Sequence, residues 1–186
     1  MTLALLNGRV LTVNGLQSGF AVLVEGERIT GLALPSDPRV RSAERHDLHG
    51  RTLLPGFIDC QVNGGGGVLF NDAPSIDGIR AIGAAHSRFG TTGFLPTLIS
   101  DDIDTMRAAI EAVDAAIAAG VPGVLGLHIE GPYLAPARKG VHDPAQFRLP
   151  GADELAMLTS RQGGVTLLTV APERLPVDSL RALIDS

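Results

Sequence analysis

The strongest constraint on the fold of this chain is an alternation of apolar, strand-like segments with helical segments that begins near Leu54. Four short apolar runs are each suited to a buried strand, and a helical segment follows every one of them. The predicted strands are Leu53–Asp59, Gly93–Ile99, Val124–Ile129 and Val165–Val170. Strands that alternate with helices in this way are typical of parallel βαβ units.

The clearest predicted helix has apolar residues at steps of three and four, which mark one buried face. These residues are Ile103, Met106, Ile110, Val113 and Ile117. Ser100 is placed to cap this helix, and Gly120 and Pro122 end it. The other predicted helices run through Ile76, Ile79, Ile82 and Phe89, through Glu154–Ser160, and from Pro176 to Asp185.

The length of the chain limits how far such a sheet can extend. About 130 residues follow Leu54, whereas a closed (β/α)₈ barrel needs roughly 200 residues or more. Four βα units fit, so the sheet is either open or part of a barrel whose remainder lies outside this sequence. We favour the second interpretation, and we expect the unpaired strand edges to self-associate or to need the other half.

The residues before Leu54 have a different pattern, in which short strands alternate with turns. The predicted strands are Leu3–Leu6, Arg9–Val13, Phe20–Glu25 and Arg28–Leu34. The turns are Asn7-Gly8, Asn14-Gly15, Glu25-Gly26-Glu27 and a last turn at Leu48–Arg51, and Asn-Gly is a strong hairpin signal. The sequence therefore predicts a small antiparallel β domain over residues 1–53 and an α/β domain over residues 54–186.

Composition excludes several classes of function. The formal net charge of −5 and the scattered basic residues argue against nucleic acid or an anionic membrane surface as a partner. Cys60 is the single cysteine, so no internal disulfide or cysteine-based zinc cluster forms. No signal peptide and no apolar run of about 20 residues is present. We therefore expect a cytoplasmic protein.

Three segments carry a resemblance to a known family. They are Leu54–Gly67 (LPGFIDCQVNGGGG), Thr91–Thr97 (TTGFLPT), and Gly126–Tyr133 (GLHIEGPY) with the downstream Arg138–His142 (RKGVH). Together they resemble the N-terminal portion of the N-acetylglucosamine-6-phosphate deacetylases, a family of the amidohydrolase superfamily. The resemblance implies a partial TIM (β/α)₈ barrel of the metal-dependent hydrolase type, preceded by a small antiparallel β-sandwich segment.

Glu130 is the first candidate site residue, because it ends the third predicted barrel strand, where barrel active sites lie. A carboxylate at this point can bind a divalent cation, and the resemblance implies that Glu130 is a metal ligand. Gln61 and Asn63 take the place of the His-x-His pair of many amidohydrolases. Neutral amides are weak ligands for zinc-like ions, so these two residues mark a vacated second metal position. We expect one divalent metal, zinc or similar, per complete site.

His142 and Val141 are the candidate substrate-binding residues. The resemblance implies that the Val141 backbone and His142 contact the amino sugar, with His142 helping to polarise the acetyl carbonyl; the alternative is an exposed histidine in a mobile loop. His128 shares a strand face with Glu130, and it either lines the site or is a hydrogen-bonded core histidine. Asp59 is expected to be structural, and Gly64–Gly67 a flexible loop rather than a phosphate cradle. His46, His49 and His86 are expected to face solvent.

The family also uses two further metal-binding histidines and a catalytic aspartate, and no matching motif follows His142. The resemblance therefore places the catalytic aspartate beyond residue 186. It implies hydrolysis of the N-acetyl group of N-acetylglucosamine-6-phosphate to glucosamine-6-phosphate and acetate, with a homodimer as the full-length form. We expect the chain alone to bind metal poorly and to be inactive. The alternatives are a non-catalytic half-barrel or sugar-phosphate binding module, and another amidohydrolase such as a dihydroorotase-like one.

Overall fold

The computed structural model of the protein describes residues 1–161 and 163–185. The chain divides into two compact units, one from Met1 to Pro55 and the other from Gly56 onward. The domain ranges 1–53 and 54–186 stay a prediction, and Ser186 lies outside the described residues. Among the helices that the structure describes, none is both long and apolar enough to cross a membrane.

The first unit contains seven short strands and one short helix. The strands are β1 (Thr2–Leu6), β2 (Arg9–Thr12), β3 (Gly15–Gln17), β4 (Ala21–Glu25), β5 (Arg28–Ala33), β6 (Glu44–Asp47) and β7 (Thr52–Leu53), with α1 (Pro38–Ser42) before β6. They form one sheet of order β5-β4-β1-β6 and another of order β3-β2-β7. A small core made of Ala4, Leu6, Ala21, Leu23, Ala33 and Val40 joins the first sheet to α1.

The predicted antiparallel arrangement of this unit is wrong for two strand pairs. Hairpins join β2 to β3 and β4 to β5 as the turns at Asn14 and Gly26 indicate, but β1 pairs parallel with β6 and β2 pairs parallel with β7. Asn7-Gly8 is not a hairpin turn, because β1 and β2 belong to different sheets. A side chain at Gly8 would overlap the Leu48 side chain, so close packing requires this glycine.

The second unit is built around a four-stranded parallel sheet. Its strands are β8 (Phe57–Val62), β11 (Thr91–Ile99), β12 (Gly126–Glu130) and β13 (Val165–Thr169), and β9 (Gly64–Gly65) and β10 (Val68–Leu69) form a separate hairpin. Its helices are α2 (Ile76–Ser87), α3 (Ile103–Ala118), α4 (Ala152–Thr159) and α5 (Val177–Ile184). The sheet order is β13-β12-β11-β8, and every pair is parallel.

The helices of this unit follow the predicted faces, with two corrections at their ends. Met106, Ile110 and Val113 of α3 are buried in the core. The N-cap of α3 is Asp102 rather than Ser100, because the Asp102 carboxylate accepts the Thr105 backbone N–H at 2.7 Å. Phe89 lies beyond the end of α2 and is exposed.

The four strands of the sheet differ in burial. The central strands β11 and β12 are almost wholly buried, whereas β8 and β13 lie at the two edges and expose apolar side chains. The exposed side chains are Phe57, Ile58, Val165 and Leu167. The predicted buried strand Leu53–Asp59 is therefore wrong in its bounds and its burial: Leu53 ends β7 of the first unit, and β8 is an edge strand.

Candidate functional site

The carboxyl ends of the parallel strands place the candidate residues at one edge of the sheet. Gln61 is near the end of β8, Ser100 directly follows β11, and Glu130 ends β12. The strand register pairs Glu130 with Ile99 on one side and with Thr169 on the other. Since ligands of parallel α/β sheets bind beyond the carboxyl ends of the strands, this edge is the candidate site.

Glu130 lies at the centre of this edge with both carboxylate oxygens near polar neighbours. The Gln61 Nε2 amide donates a hydrogen bond to Glu130 Oε2 at 2.8 Å, and His142 Nε2 lies 3.6 Å from Glu130 Oε1. The side chain retains 22% exposure, so it is neither enclosed by apolar groups nor turned out to bulk solvent. The Gln61 hydrogen bond fixes the carboxylate and leaves Oε1 open to a ligand.

His142 comes from the loop after β12 and is buried, with 5% exposure. The alternative of an exposed loop histidine therefore does not describe it. Its Nδ1 lies 2.7 Å from Ser100 Oγ and accepts the Ser100 backbone N–H at 3.3 Å. The Phe147 ring is tilted against the imidazole at a centroid distance of 6.3 Å. Ser100, Phe147 and Glu130 together hold the ring beside the carboxylate.

Arg148 anchors the loop that carries His142. Its Nε donates to Glu154 Oε1 at 2.7 Å, and its Nη1 donates to the Asp101 carbonyl at 2.8 Å. The Glu154 carboxylate is almost fully buried by this ion pair. The loop is therefore fastened both to α4 and to the segment between β11 and α3, which explains how a polar loop can bury a histidine.

His128 lies two residues before Glu130 and has a different environment. Its Nδ1 is 3.2 Å from Thr97 Oγ1 and its Nε2 is 2.8 Å from Thr169 Oγ1. Burial lowers the pKa of His128, and the nearby Glu130 carboxylate opposes this shift. Of the two alternatives for this residue, the geometry matches a hydrogen-bonded core histidine.

The other residues singled out in the sequence are near neighbours of Gln61 or His142 in the chain, or lie in the first unit. Asn63 follows β8 at the same edge as Gln61, and the Val141 side chain is largely exposed. Asp59 accepts the Gln61 backbone N–H at 3.1 Å, and His46 and His49 are exposed in the first unit.

The glycine segment 64–67 is not an irregular loop. Gly64 and Gly65 form a hairpin with Val68 and Leu69, and Gly66 and Gly67 adopt positive φ at its turn. His86 is only partly exposed, because its Nε2 lies 2.9 Å from the Gly64 carbonyl. Its expected solvent-facing position is therefore wrong.

The described residues contribute part of a metal site but not a complete one. Glu130 offers a carboxylate oxygen, which suits a hard or borderline divalent ion. Within residues 1–161 and 163–185, however, no group of three or more His, Cys, Asp or Glu side chains is arranged to hold a metal ion. Catalytic zinc sites normally use three protein ligands, so these residues fit one ligand position only.

Two residues near the site carry no functional signal in the sequence. The sequence predicts Ser100 as a helix cap, but its hydroxyl contacts His142. Asn71 clamps the end of β11: its side chain accepts the Ile99 N–H at 3.1 Å and donates to the Ile99 carbonyl at 3.1 Å. Neither residue belongs to a motif that marks it, because both act through contacts distant in sequence.

Similarity to known proteins covers nearly the whole chain. No protein-family model matches it. It is 41% identical over 96% of its length to an N-acetylgalactosamine-6-phosphate deacetylase of Shewanella sp. (strain ANA-3), and 34% identical over 93% of its length to an N-acetylglucosamine-6-phosphate deacetylase of Haemophilus influenzae. The chain spans 45% of the length of each of these two relatives.

A solved structure gives the same picture at the level of the fold. The crystal structure of N-acetylglucosamine-6-phosphate deacetylase from Pasteurella multocida superposes with a TM-score of 0.89 at 30% sequence identity. The match covers 98% of this chain and 49% of that protein. Sequence and fold are therefore similar to about half the length of deacetylases of 6-phosphorylated N-acetyl sugars.

Proposed function

We propose that this chain, whose predicted resemblance to the N-acetylglucosamine-6-phosphate deacetylases is confirmed by these similarities, forms about half of the active site of such an enzyme. The reaction is hydrolysis of the N-acetyl group of N-acetylglucosamine-6-phosphate to glucosamine-6-phosphate and acetate. The observation that carries the proposal is the position of Glu130 beside His142 at the carboxyl edge of a parallel sheet. The β unit before this sheet fits a partial β-sandwich, and the sheet fits the first half of a (β/α)₈ barrel.

Glu130 is proposed as one ligand of a divalent metal, zinc or similar, whose other protein ligands come from the part of the relatives that this chain does not span. When bound, such an ion polarises an amide carbonyl and makes a water molecule more acidic. The Gln61 amide holds the carboxylate for this task. Gln61 and Asn63 are poor ligands themselves, so we infer that the second metal position of other amidohydrolases is vacated here.

His142 is proposed to donate a hydrogen bond to the acetyl carbonyl oxygen of the substrate. A donor aimed at this oxygen stabilises the negative charge that develops there during attack by water. Because His142 is buried and held on its other nitrogen by Ser100, it needs little reorganisation when substrate binds. The backbone at Val141 is proposed to contact the amino sugar. The aspartate that moves the proton to the leaving amine is proposed to lie beyond residue 186.

A second candidate substrate is N-acetylgalactosamine-6-phosphate. The 41% identity to the Shewanella relative that carries this name exceeds the 34% identity to the Haemophilus relative. The two sugar phosphates differ only at one hydroxyl-bearing carbon of the ring, so the acetyl chemistry at Glu130 and His142 is shared. An assay of acetate release from both compounds decides between them.

Two alternatives remain outside this reaction. A dihydroorotase-like amidohydrolase is disfavoured because Gln61 and Asn63 replace the histidine pair. A non-catalytic sugar-phosphate binding module would bind the same sugars without metal. We also propose a cytoplasmic location and a homodimer for the full-length enzyme.

The test combines the 186-residue chain with the complementary part of the Shewanella relative, produced as a separate polypeptide. We expect acetate release only from the assembled mixture. Glu130→Gln should lower its rate by about a hundredfold or more, because the variant removes a charged ligand of the metal. The chain alone should show no turnover and less than stoichiometric zinc. An assembled mixture that binds sugar phosphate but releases no acetate would support the binding module, and turnover by the chain alone would refute the need for a second half.

A further inference from the structure

Ser100 connects the end of the central strand β11 to the histidine of the candidate site. We propose that Ser100 is a positioning residue that fixes the proton of His142 on Nε2, and so makes this ring a hydrogen-bond donor rather than a metal ligand. The use of that donor toward substrate rests on the proposed function. The assignment of the proton rests on the contacts of Ser100 alone.

The position of the proton follows from the backbone of Ser100. A backbone N–H can only donate, and the Ser100 N–H points to His142 Nδ1 at 3.3 Å. Nδ1 must therefore carry a lone pair. The Ser100 hydroxyl lies 2.7 Å from the same nitrogen and 3.5 Å from the Glu130 carbonyl oxygen, and the nearer atom is the better acceptor for its hydrogen. In the neutral ring the remaining proton is then on Nε2.

The protonated nitrogen is the one that faces the site. His142 Nε2 is 3.6 Å from Glu130 Oε1, which is too long for a formed hydrogen bond. Among residues 1–161 and 163–185, the Nε2–H consequently has no hydrogen-bond acceptor, and it lies next to the proposed metal ligand. A neutral imidazole binds metal only through a nitrogen lone pair, and the lone pair of His142 is directed at Ser100. The two side chains therefore have separate roles.

Two neighbouring features restrict the position of Ser100. Asn71 clamps the backbone of Ile99, the preceding residue, through a donated and an accepted hydrogen bond. On the other side, a Cβ at Gly131 would overlap Ser100 Oγ, so only glycine leaves room for the hydroxyl at this point. The serine is thus fixed before any substrate or metal arrives.

The primary experiment is nitrogen-15 NMR of the ring of His142 in the complete 186-residue chain, at about pH 8.5, where an ordinary imidazole is neutral. We expect Nδ1 to resonate as an unprotonated nitrogen that accepts a hydrogen bond, and Nε2 as a protonated one. The exposed His46 in the same spectrum provides the reference for a free ring. A proton found on Nδ1 would overturn the proposal, and this result needs no variant.

A matched pair of variants tests the hydroxyl itself. Ser100→Thr and Ser100→Val differ by one hydroxyl in place of a methyl group, so their packing is comparable. We expect the threonine variant to keep the His142 signals of the wild type. The valine variant keeps the backbone N–H of residue 100, so Nδ1 should stay unprotonated but lose the part of its shift that the hydroxyl hydrogen bond causes. A proton on Nδ1 in a folded valine variant, or an Nδ1 shift identical to that of the wild type, would contradict the proposal.

The control is Ser87→Ala, which removes an exposed hydroxyl that donates to the Ala84 carbonyl of its own helix. This variant should move no signal of His142. The outcome is also independent of the deacetylase assay. Absence of acetate release with the predicted His142 spectrum refutes the reaction and keeps the role of Ser100. Acetate release together with a proton on Nδ1 supports the reaction and refutes the role of Ser100.

Discussion

His128 and His142 are both buried near the end of β12, but their surroundings differ. His128 belongs to an inner polar layer, made of Thr97, His128 and Thr169, in which both ring nitrogens lie within hydrogen-bond distance of hydroxyls. His142 belongs to an outer polar layer, made of Gln61, Ser100, Glu130 and His142, in which Nε2 and Glu130 Oε1 are close without a formed bond. Burial by itself therefore does not distinguish the two histidines; the hydrogen-bond partners of their ring nitrogens among the described residues do.

The largest expected effect is a difference in the free energy of unfolding between a variant of the inner layer and a variant of the outer layer. Replacing His128 with alanine leaves a cavity beside the buried Thr97 and removes the contact between their side chains, and we expect it to lower the free energy of unfolding by about 3 kcal/mol. His142→Ala removes a loop side chain and should cost about 1–2 kcal/mol. Urea denaturation followed by circular dichroism measures both. If His142→Ala lowers the free energy of unfolding as much as His128→Ala does, or more, the inner and outer layers do not differ in their contribution to stability.

The second prediction concerns the space around the outer layer. Gly131 and Gly140 both adopt positive φ, of 82° and 57°, but only Gly131 is crowded, by Ser100. We expect Gly131→Ala to lower the free energy of unfolding by about 2–3 kcal/mol, and Gly140→Ala, which has open space for a Cβ, by about 1 kcal/mol. The NMR signals of His142 should move only in the first variant. If Gly140→Ala moves them equally, the loop rather than Ser100 orients the ring.

The smallest expected effect concerns Asp102, the N-cap of α3, and tests whether this cap is energetically independent of the outer layer. Hydrogen bonds from Thr105 lower the pKa of Asp102 below its ordinary value of 3.8. The folded state therefore favours the ionised carboxylate, and this stabilisation is present above about pH 4 and is lost as the pH falls through the lowered pKa. Asp102→Asn keeps a capping oxygen without the charge, so it should lose less stability than the wild type between about pH 5 and pH 3.

The measurement is the urea midpoint of wild type and Asp102→Asn at each pH. Asp37 and Asp47 also have lowered pKa values, set by their contacts with Arg39 and His49, but they are present in both proteins and cancel in the difference. If the urea midpoints of the two proteins change in parallel with pH, ionisation of Asp102 does not contribute to the pH dependence of stability. A change in the His142 spectrum at neutral pH would show that the cap and the outer layer are coupled.

Local patterns predicted most of the second unit because they depend on residues close in sequence. The apolar spacing of α3 predicted its buried face, and the run from Gly93 to Ile99 became the buried central strand. The burial predicted for Phe57 and Ile58 is wrong, because an apolar run does not reveal whether a strand is central or at an edge. The parallel pairing of β1 with β6 joins segments about 40 residues apart, so no local pattern predicts it.

The sequence by itself determined the resemblance and the residue types of the site, since the motifs around Gln61, Glu130 and His142 are contiguous and chemically distinctive. Only the tertiary structure decided which of these side chains meet. Ser100 reads as a helix cap in sequence, and it contacts His142 only because the end of β11 and the loop after β12 converge at one edge of the sheet. Hydrogen-bond partners far apart in the chain are set by strand order and packing, which no local pattern encodes.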